Sequence, residues 1–358
     1  MLPIEIPHLR LASQQLLHTS KMSVKELVGH MGVLQAQDPL MVKWALGIRL
    51  PGITEQEVNL ALDKGEIIRT HVLRPTWHLV SADDIHWMLE LTAPHIKTAI
   101  RSNQAQFELT ESIFLKSNEV LQRSLENSQY LTREEISIKL NEANIPTNSN
   151  RLPNLLLRAE IDGIICIKGF ENSNPSYTLL SAWVPKKADI LREEALAKLA
   201  KIYFTSHGPA TLQDFIWWSG LPVKDARSGL EKIKSELISK QFGDSIFCWS
   251  PEISLSSQNS VHLLPGFDEF IIGYANRKAS LPTAYKNEVI TSNGLFRPTI
   301  VENGVVIGTW KRSIKKDHVQ IETNFFQKPN PSLLDAVEQN SSAYGHFSGL
   351  KIDLKHTY

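Results

Sequence analysis

The stretch Thr132-Arg133-Glu134-Glu135-Ile136-Ser137-Ile138-Lys139-Leu140, with its continuation Arg151-Leu152-Pro153-Asn154-Leu155-Leu156-Leu157-Arg158-Ala159-Glu160-Ile161, decides how this chain is read. Thr132 and Glu135 stand three apart, so the threonine oxygen can take an orphan backbone N–H while the glutamate reaches back. That predicts a helix through Ile136 and Leu140. A polar turn, Ile145-Pro146-Thr147-Asn148-Ser149-Asn150, leads into a second helix with Leu152, Leu155, Leu156 and Ala159 on one face. Gly163 stops it. Ile164-Ile165-Cys166-Ile167 then reads as a strand, residues 169–176 as a loop, and Tyr177-Thr178-Leu179-Leu180 as the returning strand. Helix, turn, helix and hairpin, in that order, is the grammar of a winged helix.

The same grammar extends in both directions. Upstream, Leu9 to Leu17 reads as a short helix with Leu9, Ala12 and Leu16 inward, and Ser23-Val24-Lys25-Glu26 is a capping box. A helical stripe of Val24, Leu27, Val28 and Met31 follows. Pro39 restarts a helix with Val42, Leu46 and Leu50 buried, and Thr54-Glu55-Gln56-Glu57 caps another with Val58 and Leu62 inward. Ile67 to Val80 is strand-like and broken by Pro75, a hairpin. Downstream, Glu193 to Phe204, a helix begun by Thr211-Leu212-Gln213-Asp214, and Val223 to Ile233 give three helices, with a hairpin over Leu237 to Ser250.

From about residue 258 the pattern changes to short apolar strands: Val261 to Pro265, Thr299 to Val301, Gly304 to Gly308 and Val319 to Glu322. Asn303-Gly304 between two β-branched runs is a two-residue hairpin signal. Ser332 to Gln339 reads as a closing helix. The fold class expected is therefore α+β: three tandem winged-helix (helix-turn-helix) units packed with a C-terminal antiparallel β-sheet or barrel. The boundaries expected are 1–110, 111–190, 191–257 and 258–358. No long linker or low-complexity tract separates the units, so they should pack together.

Composition narrows the class. The chain has 358 residues, 42% hydrophobic and 21% charged, as in ordinary globular proteins. No run of about 18 apolar residues is present, so no membrane span is expected. Met1-Leu2-Pro3-Ile4-Glu5 lacks the basic and apolar regions of a signal peptide. Cys166 and Cys248 are too few for a disulfide framework or a cysteine zinc site, and a cytoplasmic location is expected. The formal net charge of +0 argues against a global electrostatic grip on nucleic acid but not against a local one. A monomer is the working expectation.

Few residues suggest chemistry. Val33-Leu34-Gln35-Ala36-Gln37-Asp38-Pro39 places two glutamines around one small residue. A glutamine has no useful pKa and offers only an acceptor and a donor at a fixed point. Arg74-Pro75-Thr76-Trp77-His78-Leu79 puts polar groups into a strand, either as a structural hydrogen-bond network or as the wall of a site. His71 and His78 with Asp38 and Asp83 have no metal-binding spacing, so no metal is expected. The glycines are dispersed rather than gathered in a phosphate-cradling loop, and no cofactor is expected. Lys311-Arg312-Ser313-Ile314-Lys315-Lys316 is the densest basic run, which could neutralise phosphates, although such runs are more often solvated faces. Trp217-Trp218, Phe215 and Trp183 read as core and inter-domain packing rather than stacking platforms. Three helix-turn-helix units favour duplex DNA as the partner, because a helix end fits the major groove.

These pieces carry a resemblance to the AlkZ-like and YcaQ-like bacterial DNA glycosylases. The matching motifs are Leu34-Gln35-Ala36-Gln37-Asp38-Pro39, Arg74 to Leu79, Gly208-Pro209-Ala210-Thr211 with Asp214, and Trp217-Trp218-Ser219-Gly220-Leu221. Leu264-Pro265-Gly266-Phe267-Asp268-Glu269 with Gly273-Tyr274 and Gly308-Thr309-Trp310-Lys311-Arg312 complete an ordered set from residue 34 to residue 312. The resemblance implies a C-shaped arrangement around a DNA-sized channel and a catalytic Gln-apolar-Gln motif, which maps onto Gln35 and Gln37. The YcaQ-like branch has aspartate at the second position, so Gln37 places this chain on the AlkZ-like side. The implied partner is double-stranded DNA with alkylated bases; on that reading the residues expected to serve it are Arg74 and His78 as wall or DNA contacts and Lys311 and Arg312 as phosphate contacts.

The chemistry is consistent with such weak groups. An N7-alkylated purine is cationic and already a good leaving group, so its glycosidic bond breaks through an oxocarbenium-like sugar with little acid assistance. Such a site needs a held water and dipoles aimed at the developing charge, which two amide carbonyls can supply. In strand register Gln35 and Gln37 would project to the same side. No motif positions a lysine as a Schiff-base nucleophile, so a monofunctional glycosylase is expected. The alternatives are a non-catalytic winged-helix transcriptional regulator and a protein-interaction scaffold that binds no DNA.

Overall fold

The structure is a computed structural model and describes residues 5–17, 21–171, 174–253 and 259–357. Most of the N-terminal Met1-Leu2-Pro3-Ile4-Glu5 stretch, and two residues of the loop expected at 169–176, lie outside the described residues. The first unit comprises α1 (Glu5–Ser13), α2 (Val24–Met31), β1 (Val33–Gln35), α3 (Met41–Gly47), α4 (Glu55–Asp63), β2 (Ile67–His71) and β3 (Trp77–Ser81). Helix α1 ends before the expected Leu17, because Gln15 takes a positive φ of 59°. Leu16 is nevertheless buried beyond that turn. The capping boxes form as written: the Ser23 backbone N–H donates to Glu26 Oε2 at 2.8 Å, and Ser23 Oγ accepts the Glu26 N–H at 3.2 Å.

A 21-residue helix not read from the sequence, α5 (Ile85–Ala105), leads to α6 (Glu111–Glu126). Then come β4 (Leu131–Thr132), α7 (Arg133–Glu142), α8 (Arg151–Ile161), β5 (Ile165–Glu171) and β6 (Asn174–Leu179). The strands therefore run further into the hairpin than the loop expected at 169–176. The two hairpins do not stand apart as separate wings. They fuse into one six-stranded sheet, ordered β1-β3-β2-β5-β6-β4, joined where Arg69 pairs with Ile167. All five residues of β2 are buried, as expected for a strand covered on both faces.

A third group contains α9 (Leu180–Trp183), α10 (Arg192–Ser206), α11 (Leu212–Ser219), α12 (Val223–Ile233), β7 (Ile238–Phe242) and β8 (Ser245–Trp249), the last two forming their own ribbon. Helices α10 and α12 pack closely because Gly229 has no side chain; a Cβ there would lie 2.5 Å from the Leu196 carbonyl oxygen.

The last group is β9 (Val261–Leu264), α13 (Glu269–Ile272), α14 (Lys286–Val289), β10 (Thr299–Glu302), β11 (Val305–Ile314), β12 (His318–Phe325), α15 (Pro331–Ser348) and β13 (Lys351–Thr357). Asn303 and Gly304 turn β10 into β11 with φ of 49° and 81°, the doubly positive geometry of a tight hairpin. The barrel reading is corrected here. The five strands form an open sheet, β13-β12-β11-β10-β9, that is not closed. Nor is it wholly antiparallel, because β13 returns parallel to β12 after the long helix α15. A parallel return needs such a crossover, and the closing helix runs to Ser348 rather than Gln339 to supply it.

One apolar core joins the first unit to this sheet. Trp44 Nε1 donates to the Leu263 carbonyl at 2.7 Å and Trp310 Nε1 to the Leu264 carbonyl at 2.8 Å. A second core lies between α5, α10, α11 and the other face of β1 and β3.

Candidate functional site

Strand β1 lies at the edge of the six-stranded sheet, with Gln35 opposite His78. Its alternation divides the two cores: Leu34 belongs to the core shared with the C-terminal sheet, and Val33 to the core under α10. The strand ends at Gln35, and Gln37 falls in a bend beyond it. The strand register therefore sets the direction of Gln35 but not that of Gln37. Asp38 caps α3, accepting the Leu40 and Met41 N–H groups at 3.0 Å each.

Gln35 is held at both ends. Its backbone N–H donates to Glu269 Oε1 at 2.9 Å, and its side-chain Oε1 accepts from Arg74 Nη2 at 3.2 Å. Glu269 is 1% exposed and reaches this point from α13. Its other oxygen accepts the Trp218 indole N–H at 3.2 Å, with the buried His207 Nε2 at 3.5 Å, long for a hydrogen bond. The preceding residue, Asp268, forms a buried two-pronged pair with Arg49, both N···O distances being 2.8 Å. The short helix carrying Glu269 is thereby fixed against α3 and β1.

Arg74 follows Leu73, which adopts a positive φ of 61°. Gly220, at the end of α11, packs on the same turn; a Cβ there would sit 3.1 Å from Arg74 Cγ. Burial lowers the pKa of Arg74, and the Glu269 carboxylate opposes that shift. The half-buried Arg74 guanidinium and the buried Glu269 carboxylate thus offset each other around Gln35. Arg74 takes one lone pair of the Gln35 carbonyl and leaves the second for another donor. Gln37 is exposed, and its amide makes no hydrogen bond to a described residue.

The other residues singled out from sequence are placed differently. His78 is fully buried, its Nδ1 against the Thr76 carbonyl at 2.9 Å. Burial holds its pKa well below the ordinary imidazole value, so the ring is neutral and presents no surface to DNA. Lys311 is exposed and paired with Glu322 at 2.8 Å; Arg312 bonds the Tyr344 hydroxyl and lies over its ring. Neither shares a hydrogen bond with the Gln35 cluster. Phe215 and Trp218 are buried as packing residues, but Trp217 is 45% exposed, which departs from the packing expectation. Helix α8, the second helix of the helix-turn-helix expected over 111–190, has eight of its 11 residues buried. The simple picture of three helices each free to enter a groove does not hold for it.

Sequence reasoning gave no role to Glu269, His207 or Arg69. Arg69 donates to the Ala36 carbonyl between the two glutamines at 3.0 Å and lies over Trp77, and burial pushes its pKa down to about 10. The signal for Glu269 was its motif, Leu264 to Glu269, but nothing local indicates that it meets Gln35 across 234 positions. A cavity of about 280 Å³ opens beside Trp77, His71, Tyr177 and Arg133. A cavity of about 640 Å³, walled by α3 and α15, contains none of the residues that hold Gln35. Among the described residues no group of three or more His, Cys, Asp or Glu could hold a metal ion, and no helix is long and apolar enough to cross a membrane.

Comparisons with known proteins agree with this architecture. The chain is 22% identical over 326 residues to an interstrand DNA cross-link repair glycosylase of Streptomyces sahachiroi, covering 84% of this chain and 85% of that protein. The solved structure of the Streptomyces sahachiroi DNA glycosylase AlkZ superposes with a TM-score of 0.84 over 99% of both chains, at 19% identity, and so shares the fold. The family described as DNA glycosylase AlkZ-like matches residues 28–347, and with almost the whole chain accounted for, this protein belongs to the AlkZ-like DNA glycosylases.

Proposed function

We propose that this protein is a monofunctional DNA glycosylase that releases cationic N-alkylated purines, of the N7-alkylguanine type, from double-stranded DNA. The observation that carries the reading is the environment of Gln35: its side-chain carbonyl accepts from Arg74 while Glu269 anchors its backbone N–H, and the exposed amide of Gln37 lies two residues away. Neither amide can act as a base at neutral pH. Together they can hold a water by its hydrogens and aim carbonyl dipoles at a sugar that becomes positive as the bond breaks. The buried Glu269 carboxylate offsets the Arg74 guanidinium, which would otherwise oppose that developing charge.

Such a site accelerates only a reaction whose leaving group is already activated. Selectivity for alkylated over normal purines then follows from leaving-group quality. The cross-link repair activity named for the Streptomyces relative concerns lesions that could belong to the same leaving-group class, and cross-linked purines are a second substrate to try. The neutral, buried His78 backs Gln35 from the neighbouring strand, while Lys311 and Arg312 contact phosphates further along the duplex.

The test is release of 7-methylguanine from methylated duplex DNA. Wild-type protein should release it, and the Gln35→Ala/Gln37→Ala double variant should not. Equal release by the two would remove the glutamines from the mechanism. Sequence-specific duplex binding without release from any alkylated substrate would favour the regulator instead.

A further inference from the structure

Trp217 is a bulky residue that the proposed chemistry leaves without a task. Its neighbour Trp218 is buried and bonded to Glu269, yet Trp217, one position earlier on α11, is 45% exposed. It is not loose. Its Nε1 donates to the Ile272 carbonyl at 2.9 Å, and the Arg277 guanidinium lies over its ring with Cζ 5.1 Å from the centroid. Arg277 is itself tied to the Ile271 carbonyl at 2.9 Å and also lies over Phe296, at 5.2 Å. Phe267, half-buried and with a positive φ of 60°, continues the row 6.0 Å from Phe296.

This row borders the Gln35 cluster. Trp218 and Gln35 bind the two oxygens of one carboxylate, and Gly220, three residues after Trp217, packs on Arg74. Leaving so much indole in water costs hydrophobic free energy, and fixing its edge while backing one face with a cation leaves the other face as a rigid planar surface. Aromatic faces of this kind accept any nucleobase, because every base has a π-face.

We infer that Trp217, backed by Arg277, is a stacking platform for an unpaired nucleobase of the DNA that passes Gln35. The inference rests on DNA being the substrate but not on bond cleavage. It assigns the platform to a base displaced from the stack near the lesion, so binding should improve when the duplex contains a mismatch or a short gap.

The test titrates unmodified DNA, a fully paired duplex and one with a central two-nucleotide gap, into wild-type protein, Trp217→Phe and Trp217→Ala, following tryptophan fluorescence and affinity. Wild type should be quenched by gapped DNA more than by paired DNA. Trp217→Phe keeps a π-face and should bind gapped DNA within about threefold of wild type, with the extra quench gone. Trp217→Ala should bind it about ten-fold more weakly or worse while binding paired duplex nearly unchanged. Should Trp217→Ala melt much earlier than wild type, the Phe variant alone decides. Equal quenching in wild type and Trp217→Phe, or equal weakening of gapped and paired DNA in Trp217→Ala, overturns the platform; the latter would mean a structural prop for Arg277. A protein that stacks gapped DNA but releases no alkylated base keeps the platform and loses the glycosylase proposal; release without the Trp217-dependent quench does the reverse.

Discussion

Replacing Glu269 by glutamine should show how much of the site depends on one buried carboxylate. Glu269 accepts two N–H donors, Gln35 at 2.9 Å and Trp218 at 3.2 Å, and neither the carboxylate nor Trp218 is exposed to water. A glutamine of nearly the same shape offers one acceptor and one donor, so one of those N–H groups faces another donor. An unpaired buried donor costs about 1–3 kcal/mol, and removing the counter-charge of the half-buried Arg74 adds to it. The Glu269→Gln variant should therefore lose about 2–5 kcal/mol of stability. The anchor on the Gln35 backbone is also weakened, and a misplacement on the order of 1 Å at a catalytic group costs roughly 100-fold in rate. Thermal unfolding with single-turnover release of 7-methylguanine, measured well below the variant's melting temperature, separates the two effects. A Glu269→Gln protein that melts and reacts like wild type would refute the claim that this carboxylate holds Gln35 in place.

Two further outcomes follow from charges elsewhere. Burial lowers the pKa of His30, His78, His95 and His207 from the ordinary 6.5, so below that pH the unfolded chain binds protons that the folded chain cannot. Stability should therefore be fully present above pH 6.5 and fall on acidification, by at most about 1.4 kcal/mol per pH unit for each of the fully buried His78 and His207 and by less for the partly exposed His30 and His95; a melting temperature that is flat or rises from pH 7 to pH 5.5 contradicts this. Lys311 is exposed and pairs with the half-buried Glu322; surface pairs of this kind are worth about 0–1 kcal/mol, so Lys311 is free to exchange that partner for a phosphate. Lys311→Ala should lower the slope of log affinity against log salt by about 0.9, and an unchanged slope would remove Lys311 from the DNA contact.

The local parts of this protein were legible in its residues. Capping boxes at Ser23, Thr54 and Thr132 form because their hydrogen bonds close within three positions, and Asn303-Gly304 turns as read because both residues tolerate positive φ. The three helix-hairpin sequences and the pairing of β10 with β11 follow from the same short-range rules. Tertiary structure alone decided that the first two hairpins merge into one sheet through Arg69 and Ile167. It also decided that β13 returns parallel to β12 and that α8 is packed away from solvent. These are choices between surfaces far apart in the chain, and hydrophobic patterning marks a face as buried without naming what covers it. The candidate site divides in the same way. Gln35 and Gln37 could be picked out as a motif, but the carboxylate behind Gln35, the arginine on its carbonyl and the bend that frees Gln37 come from three separate segments. Their meeting depends on buried charges finding each other across the folded core, which no spacing in the sequence records.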